Sequence, residues 1–372
     1  MSFSRRHFLQ LAGAGILLQS KLLKGQQSSA VNPPALSALP IHTTPGLSKV
    51  ALVHGDDRRK NISQALLSID NEIQAGLQRK KYVVIKPNNV STVNQLASTH
   101  VDAINGILDY LEPRFRGPVV IAESSAGDTL EGFESFRYPR LATERRSQKI
   151  SLVDLNREAK YDTISLVDYD LHLTPVRLAA RLLDPDAYVI CSTILKTHNA
   201  AVASLSVKNL TLGAPLHSVP GELRWSDKRK YHAGIRQMHY NILVTAQKMR
   251  PYWGTTVIDG FEGMEGNGPA SGTPVPSRVA IASTDYIAAD RVALETMGIN
   301  PDWVGYLVYC GQVGLGQYDL SKIEVVGSEI ASVQKKYRLH IDIDRELRWM
   351  GPMEDLPPRM GRLHDPQDFI YG

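Results

Sequence analysis

Apolar and polar positions along this chain follow two rhythms in alternation. Short, nearly continuous apolar runs read as buried strands. They occur at Lys49–Gly55, Lys81–Asn89 and Pro118–Ser124, and again at Ala187–Ser192, Gly254–Gly260, Arg278–Thr284 and Lys322–Gly327. Between them lie stretches with apolar residues three and four apart, the spacing of an amphipathic helix. Ile62, Leu66, Ile69, Ile73 and Leu77 make one such face behind a cap at Asn61. Ile104, Ile107 and Leu108 make a second behind Thr99, and Ile235, Met238, Ile242 and Met249 a third. A fourth holds Ala288, Val292 and Met297 behind an N-cap at Asp285, with Asp290 bracing the loop. Strand and helix in regular alternation predict an α/β fold with a mostly parallel central sheet and helices on both faces.

Other stretches are less regular. Lys149–Leu155 and Thr163–Tyr169 read as strands at a sheet edge, and Pro175 as the start of a short helix through Leu178, Leu182 and Leu183. A helix from Ala200 onward is expected to carry Lys208 and Asn209. Residues Leu216–Tyr231 are polar with a basic run and read as a flap. Phe261–Gly272 reads as a glycine-rich loop.

Charge changes the picture at the N-terminus. The first thirty residues contain Arg5, Arg6, Lys21 and Lys24 and no acid. Without these four, the 42 basic residues fall to 38, equal to the 38 acidic ones. The remainder has no electrostatic footprint for nucleic acid. Ser4-Arg5-Arg6-His7-Phe8-Leu9, followed by a weakly apolar Gly/Ala run, resembles a twin-arginine export signal. The expected organisation is a signal over 1–30, a linker over 31–45, an α/β domain over 46–330, and a C-terminal extension over 331–372 packing on it. The expected location is periplasmic, with the twin-arginine export machinery as a partner and no stable membrane span after signal removal. Cys191 and Cys310 stand alone, and neither belongs to a metal-ligating pair.

Chemistry concentrates where strands end. In a parallel sheet Lys86, Glu123, Lys196 and Asp259 gather at one edge, where open α/β sheets bind ligands. Lys196, His198 and Glu123 are the candidate catalytic groups. Histidine titrates near neutrality, and a buried lysine serves as base or as Schiff-base nucleophile. Lys86, Asn88, Lys208, Asn209 and His217, with the loop residues Gly266, Asn267 and Gly268, are candidates for holding a small anionic ligand. Asp259 and Glu265 are candidates for a divalent metal; alternatively the loop's N–H groups cradle an anion, or Asn267-Gly268 simply makes a turn.

Several strings occur in order: IKPNN at Ile85–Asn89, AESSAG at Ala122–Gly127, ILKTH at Ile194–His198, SVKNLTLGAP at Ser206–Pro215, VIDGFEGMEGNGPASGTPV at Val257–Val275 and ASTDYIAAD at Ala282–Asp290. Together they resemble the bacterial and archaeal family catalogued as domain of unknown function 362, over about Lys81–Gly327. That resemblance assigns no reaction. Many members of the family carry ferredoxin-like cysteine clusters; with two isolated cysteines, this chain does not support an iron–sulfur cluster. The expectation is an exported enzyme acting on a small anion. A non-catalytic ligand-binding or maturation factor and a redox partner are the competing readings.

Overall fold

The structure is a computed structural model and describes residues 47–351. The expected signal, the linker and the end of the C-terminal extension lie outside the described residues. The chain runs β1 (Ser48–His54), β2 (Tyr82–Lys86), β3 (Val119–Glu123) and β4 (Ile150–Asp154), with helices between them, then β5 (Tyr161–Val167) and β6 (Leu173–Ala179). Next come β7 (Ala187–His198) and β8 (Val202–Ser204), then β9 (Trp253–Glu265), β10 (Thr273–Val275), β11 (Val279–Ser283) and β12 (Ile323–Gly327).

One sheet has the order β12-β1-β11-β9-β7-β2-β3-β4, with β8 added to β7 and β10 to β9. Neighbours along that path are parallel except at β11, which runs against both β1 and β9. The sheet is mostly parallel, as the alternation of strands and helices predicts.

Its strands read as continuous apolar runs because both faces are covered. Successive side chains leave a strand on opposite sides. Val83, Ile85 and Ile190 therefore pack with Ile62, Ile73 and Ile107, while Val84, Val189 and Cys191 pack with Val207, Ile242 and Val292. Among the described residues no helix is long and apolar enough to cross a membrane.

Local differences from the sequence reading have physical causes. The helix expected behind Asn61 is two, Arg58–Leu67 and Asp70–Leu77. Asp57 caps the first by accepting from the Lys60 N–H, while Asn61 donates to the carbonyls of Gly55 and Arg278. His100, not Thr99, caps Val101–Leu111. Pro175 starts no helix: it lies on β6 in a separate ribbon, where the alternation of buried Val176 and Leu178 with outward neighbours pairs with β5. Residues Val202–Ser204 fold back on β7 as β8, so the helix carrying Lys208 begins only at Ser206. Cys191 and Cys310 are both buried and unpaired.

Candidate functional site

Parallel register puts Lys86 at the end of β2 beside Glu123 at the end of β3. Lys86 Nζ donates to Glu123 Oε1 at 2.8 Å and to the Pro87 carbonyl at 2.8 Å. Both side chains are almost fully buried, so each charge needs the other. The other carboxylate oxygen, Glu123 Oε2, accepts from the Asn89 N–H at 3.1 Å. Gly213 lies against the lysine, and a Cβ there would collide with Lys86 Nζ.

On β7, Lys196 Nζ donates to Asn88 Oδ1 at 2.5 Å and to the Ala97 carbonyl at 2.9 Å. Asn88 Nδ2 donates in turn to Asn209 Oδ1 at 2.8 Å, and Lys86 Nζ reaches the same oxygen at 3.2 Å. One hydrogen-bonded chain thus runs from Lys196 through Asn88, Asn209 and Lys86 to Glu123. Burial, then repulsion from Lys208, pushes the Lys196 amine well below its ordinary lysine value.

Helix Ser206–Gly213 presents Lys208 and Asn209. Asp290 fixes its start, with one carboxylate oxygen accepting from the Ser206 N–H at 2.8 Å and the other from the Val207 N–H at 3.0 Å. The bracing expected of Asp290 is therefore a helix cap supplied from a neighbouring helix. Lys208 is 6% exposed, and its amine makes neither a hydrogen bond nor an ion pair with any described residue. Burial brings its pKa down to about 7. His198 Nδ1 accepts from the Ala200 N–H at 3.0 Å, so the neutral ring carries its proton on Nε2. Burial and nearby Lys208 push His198 well below its ordinary value.

These groups open onto a cavity of about 980 Å³. Lys86, Asn88, Glu123, Lys196 and His198 line it, as do Lys208, Asn209, His217, Asn267 and Gly268. His217 is braced into the wall, with Nε2 2.6 Å from the Ser125 carbonyl and Nδ1 2.9 Å from that of Ser218. Gly268 is glycine for space, since a Cβ would meet the Thr197 carbonyl oxygen.

Three expected site residues are elsewhere. Gly266 does not line the cavity; its carbonyl accepts from Thr197 Oγ1 at 2.8 Å and its N–H donates to Arg338. Asp259 lies within β9, not at its end, in a separate small recess with Arg58, His100 and Glu262. Its carboxylate faces Arg58 Nε at 3.0 Å, and burial raises its pKa. Glu265 Oε2 accepts from the Arg338 N–H at 2.8 Å. Six residues of extended strand separate Asp259 from Glu265 by roughly 20 Å, too far to share an ion. Among the described residues no three His, Cys, Asp or Glu side chains gather as metal ligands.

Sequence reasoning missed part of the wall. Lys228 lines the cavity and donates to the Leu212 and Gly213 carbonyls at 3.1 and 3.4 Å; burial brings it to about 7. His232 and His340 also line it. The basic run of the flap was the only signal for Lys228. The flap itself is tied down, because Asp227 accepts from Arg177 Nε at 2.8 Å and the Lys230 amine lies 2.9 Å from its other oxygen.

A family model described as domain of unknown function (DUF362) matches residues 83–295. The chain belongs to that family. The match takes in the strand ends bearing Lys86, Glu123 and Lys196 and the helix bearing Lys208. A thylakoid-associated protein of Synechocystis sp. is 26% identical over 140 residues, 38% of this chain and 41% of that protein. The chain thus aligns with about two-fifths of that relative's length. Two solved structures are more distant. A Thermotoga maritima protein shares 12% identity at a TM-score of 0.37, over 57% of this chain and 52% of its own. The lactate racemase apoprotein of Thermoanaerobacterium thermosaccharolyticum shares 14% at 0.40, over 70% and 59%. None of these similarities gives this family member a reaction.

Proposed function

We propose that this DUF362 protein is an exported enzyme acting on a small anionic substrate held in the 980 Å³ cavity. The observation that carries the reading is Lys208, an amine facing the cavity with no partner among the described residues. A buried lysine without a carboxylate is costly, and an anion from solution supplies what is missing. The other cations of the inner wall are engaged: Lys86 by Glu123, Lys196 by Asn88 and Ala97. His198 Nε2 and the Lys196 amine supply proton donors and acceptors beside the same space, which favours turnover over simple storage. The paired Arg5-Arg6 before Phe8-Leu9 supports export to the periplasm through the twin-arginine machinery.

Calorimetric titration of the purified protein with inorganic phosphate and with malonate tests the binding half. Saturable binding of at least one anion is expected, weakened about tenfold or more in Lys208→Met, the loss of one charge-assisted contact. Absence of saturable binding for both anions would overturn the reading. Conversion of a bound anion separates an enzyme from a ligand-binding or maturation factor.

A further inference from the structure

We propose that Lys208 is a covalent nucleophile that forms an imine with the carbonyl carbon of a substrate also carrying a carboxylate or phosphate. The inference rests on the anion-binding reading above and names the substrate class within it: oxo acids and phosphorylated aldehydes.

The four lysines of the cavity are held differently. Lys86 is bound by Glu123, Pro87 and Asn209. Lys196 is pinned by Asn88 and Ala97, and Lys228 by the last two carbonyls of the Lys208 helix. Lys208 alone among these four has an amine with no hydrogen bond, so it can reach and rotate toward a bound molecule.

Its surroundings oppose protonation. Burial disfavours its charged form, and among the described residues no carboxylate pairs with it. Asp290, on the packed helix, spends both oxygens on the Ser206 and Val207 N–H groups. The first turn of a helix adds positive potential at the same place. A lysine serving only as an ionic anchor gains from carboxylate neighbours that keep it charged. An amine brought to about 7 by burial has its lone pair available at neutral pH. Lys208 then holds a simple anion in its protonated form and attacks a carbonyl carbon in its neutral form, with Lys228 lining the same cavity for the substrate's carboxylate or phosphate.

The reaction balances without an oxidant or reductant. The neutral amine attacks the carbonyl carbon, the carbonyl π pair takes a proton, and the nitrogen gives one up, forming a carbinolamine. The C–O bond then breaks as the oxygen takes a second proton and leaves as water, and the nitrogen lone pair closes the C=N bond. His198 Nε2–H and the Lys196 amine line the space in which those protons move.

The test is reductive trapping on the intact protein. Pyruvate and glycolaldehyde phosphate, each with cyanoborohydride at pH 7, are incubated with the wild type, and the modified lysines are mapped by peptide mass spectrometry. The expected result is one dominant adduct at Lys208 with at least one probe. Its rate should rise through pH 7, and excess phosphate should suppress it. In Lys208→Arg, which keeps the charge, that adduct disappears while phosphate affinity stays within a few-fold. Labelling spread over surface lysines, a dominant adduct at Lys196, or no adduct with either probe overturns the proposal. If phosphate still binds saturably in those cases, the anion-binding reading survives; if it does not, both fall.

Discussion

Asn88 donates its side-chain N–H to Asn209 Oδ1 at 2.8 Å, and this bond joins two buried lysines that come from different strands. Asn209 Oδ1 also receives Lys86, and its Nδ2 lies 3.3 Å from the Pro87 carbonyl. Asn209→Leu keeps the volume but removes every polar atom. It leaves the Asn88 N–H groups without their acceptor and lets Asn88 rotate away from Lys196. The expected loss is about 1–3 kcal/mol of unfolding free energy, the cost of an unsatisfied buried donor. Urea denaturation at unchanged slope is the measurement; an unaltered midpoint would show that the network carries no stability.

The Lys86–Glu123 pair predicts an asymmetry between single and double substitutions. Glu123→Gln leaves a buried ammonium uncompensated and should cost about 3–5 kcal/mol. Replacing both, as Lys86→Met with Glu123→Leu, should recover much of that loss. Gly213→Ala should resemble the single substitution, because its Cβ takes the space of the lysine amine. Equal damage from the single and double replacements would contradict this account.

These pairs also show what could be read without coordinates. The buried runs before Lys86 and Glu123 are apolar on both faces, so strand and strand end follow from residue type. The strand before Lys196 reads as ending at Ser192, yet β7 runs on through Lys196 to His198 because Val202–Ser204 pairs back on it. Asp259 misled because Gly260 and Gly263 look like loop glycines. They lie within β9, where Leu195 and Tyr337 approach so closely that a Cβ would not fit. The sequence suggests a glycine-rich loop from Phe261 where β9 continues as a crowded strand to Glu265. Lys228 and His340 were beyond reach for another reason. Both sit on segments whose path depends on long-range anchors, Asp227 to Arg177 and Glu346 to Val202, which no local periodicity encodes.

The buried amines predict that the ligand-free protein gains stability as pH rises above neutrality. Asp290 and Glu346 are raised by burial to about 7 and about 8. Between their unfolded values and these, the folded chain holds more protons, so these two acids lower stability as pH rises, against the opposite contribution of the lowered Lys196 and His198. Lys208 and Lys228 are lowered to about 7 from 10.5. Between about 7 and 10.5 the unfolded chain holds more protons, so stability climbs as pH rises. Melting temperatures in a non-binding buffer should rise from pH 7 to 9.5. Phosphate should flatten that rise by keeping Lys208 protonated. A flat or falling profile, or one that phosphate leaves unchanged, would contradict these assignments.

Glu346 predicts how the cavity mouth is held. Its Oε2 accepts from the Val202 N–H at 2.7 Å, and Val202 has a left-handed backbone, φ +63°, that a β-branched residue rarely adopts. The same segment carries His340, Ile341 and Asp342 along the cavity wall, and Trp349 Nε1 donates to the Trp303 carbonyl at 2.8 Å. Glu346→Ala leaves a buried N–H unpaired at a strained residue and releases one end of this strap. Cleavage by trypsin after Lys335, Lys336 or Arg338 should then quicken severalfold. Phosphate affinity should drop as His340 is withdrawn from the wall, while Trp349→Phe, which loses only the distal anchor, should show the cleavage effect more weakly. Unchanged proteolysis in Glu346→Ala would mean that the strap is held by its apolar contacts, Tyr337 and Trp349, and not by the carboxylate.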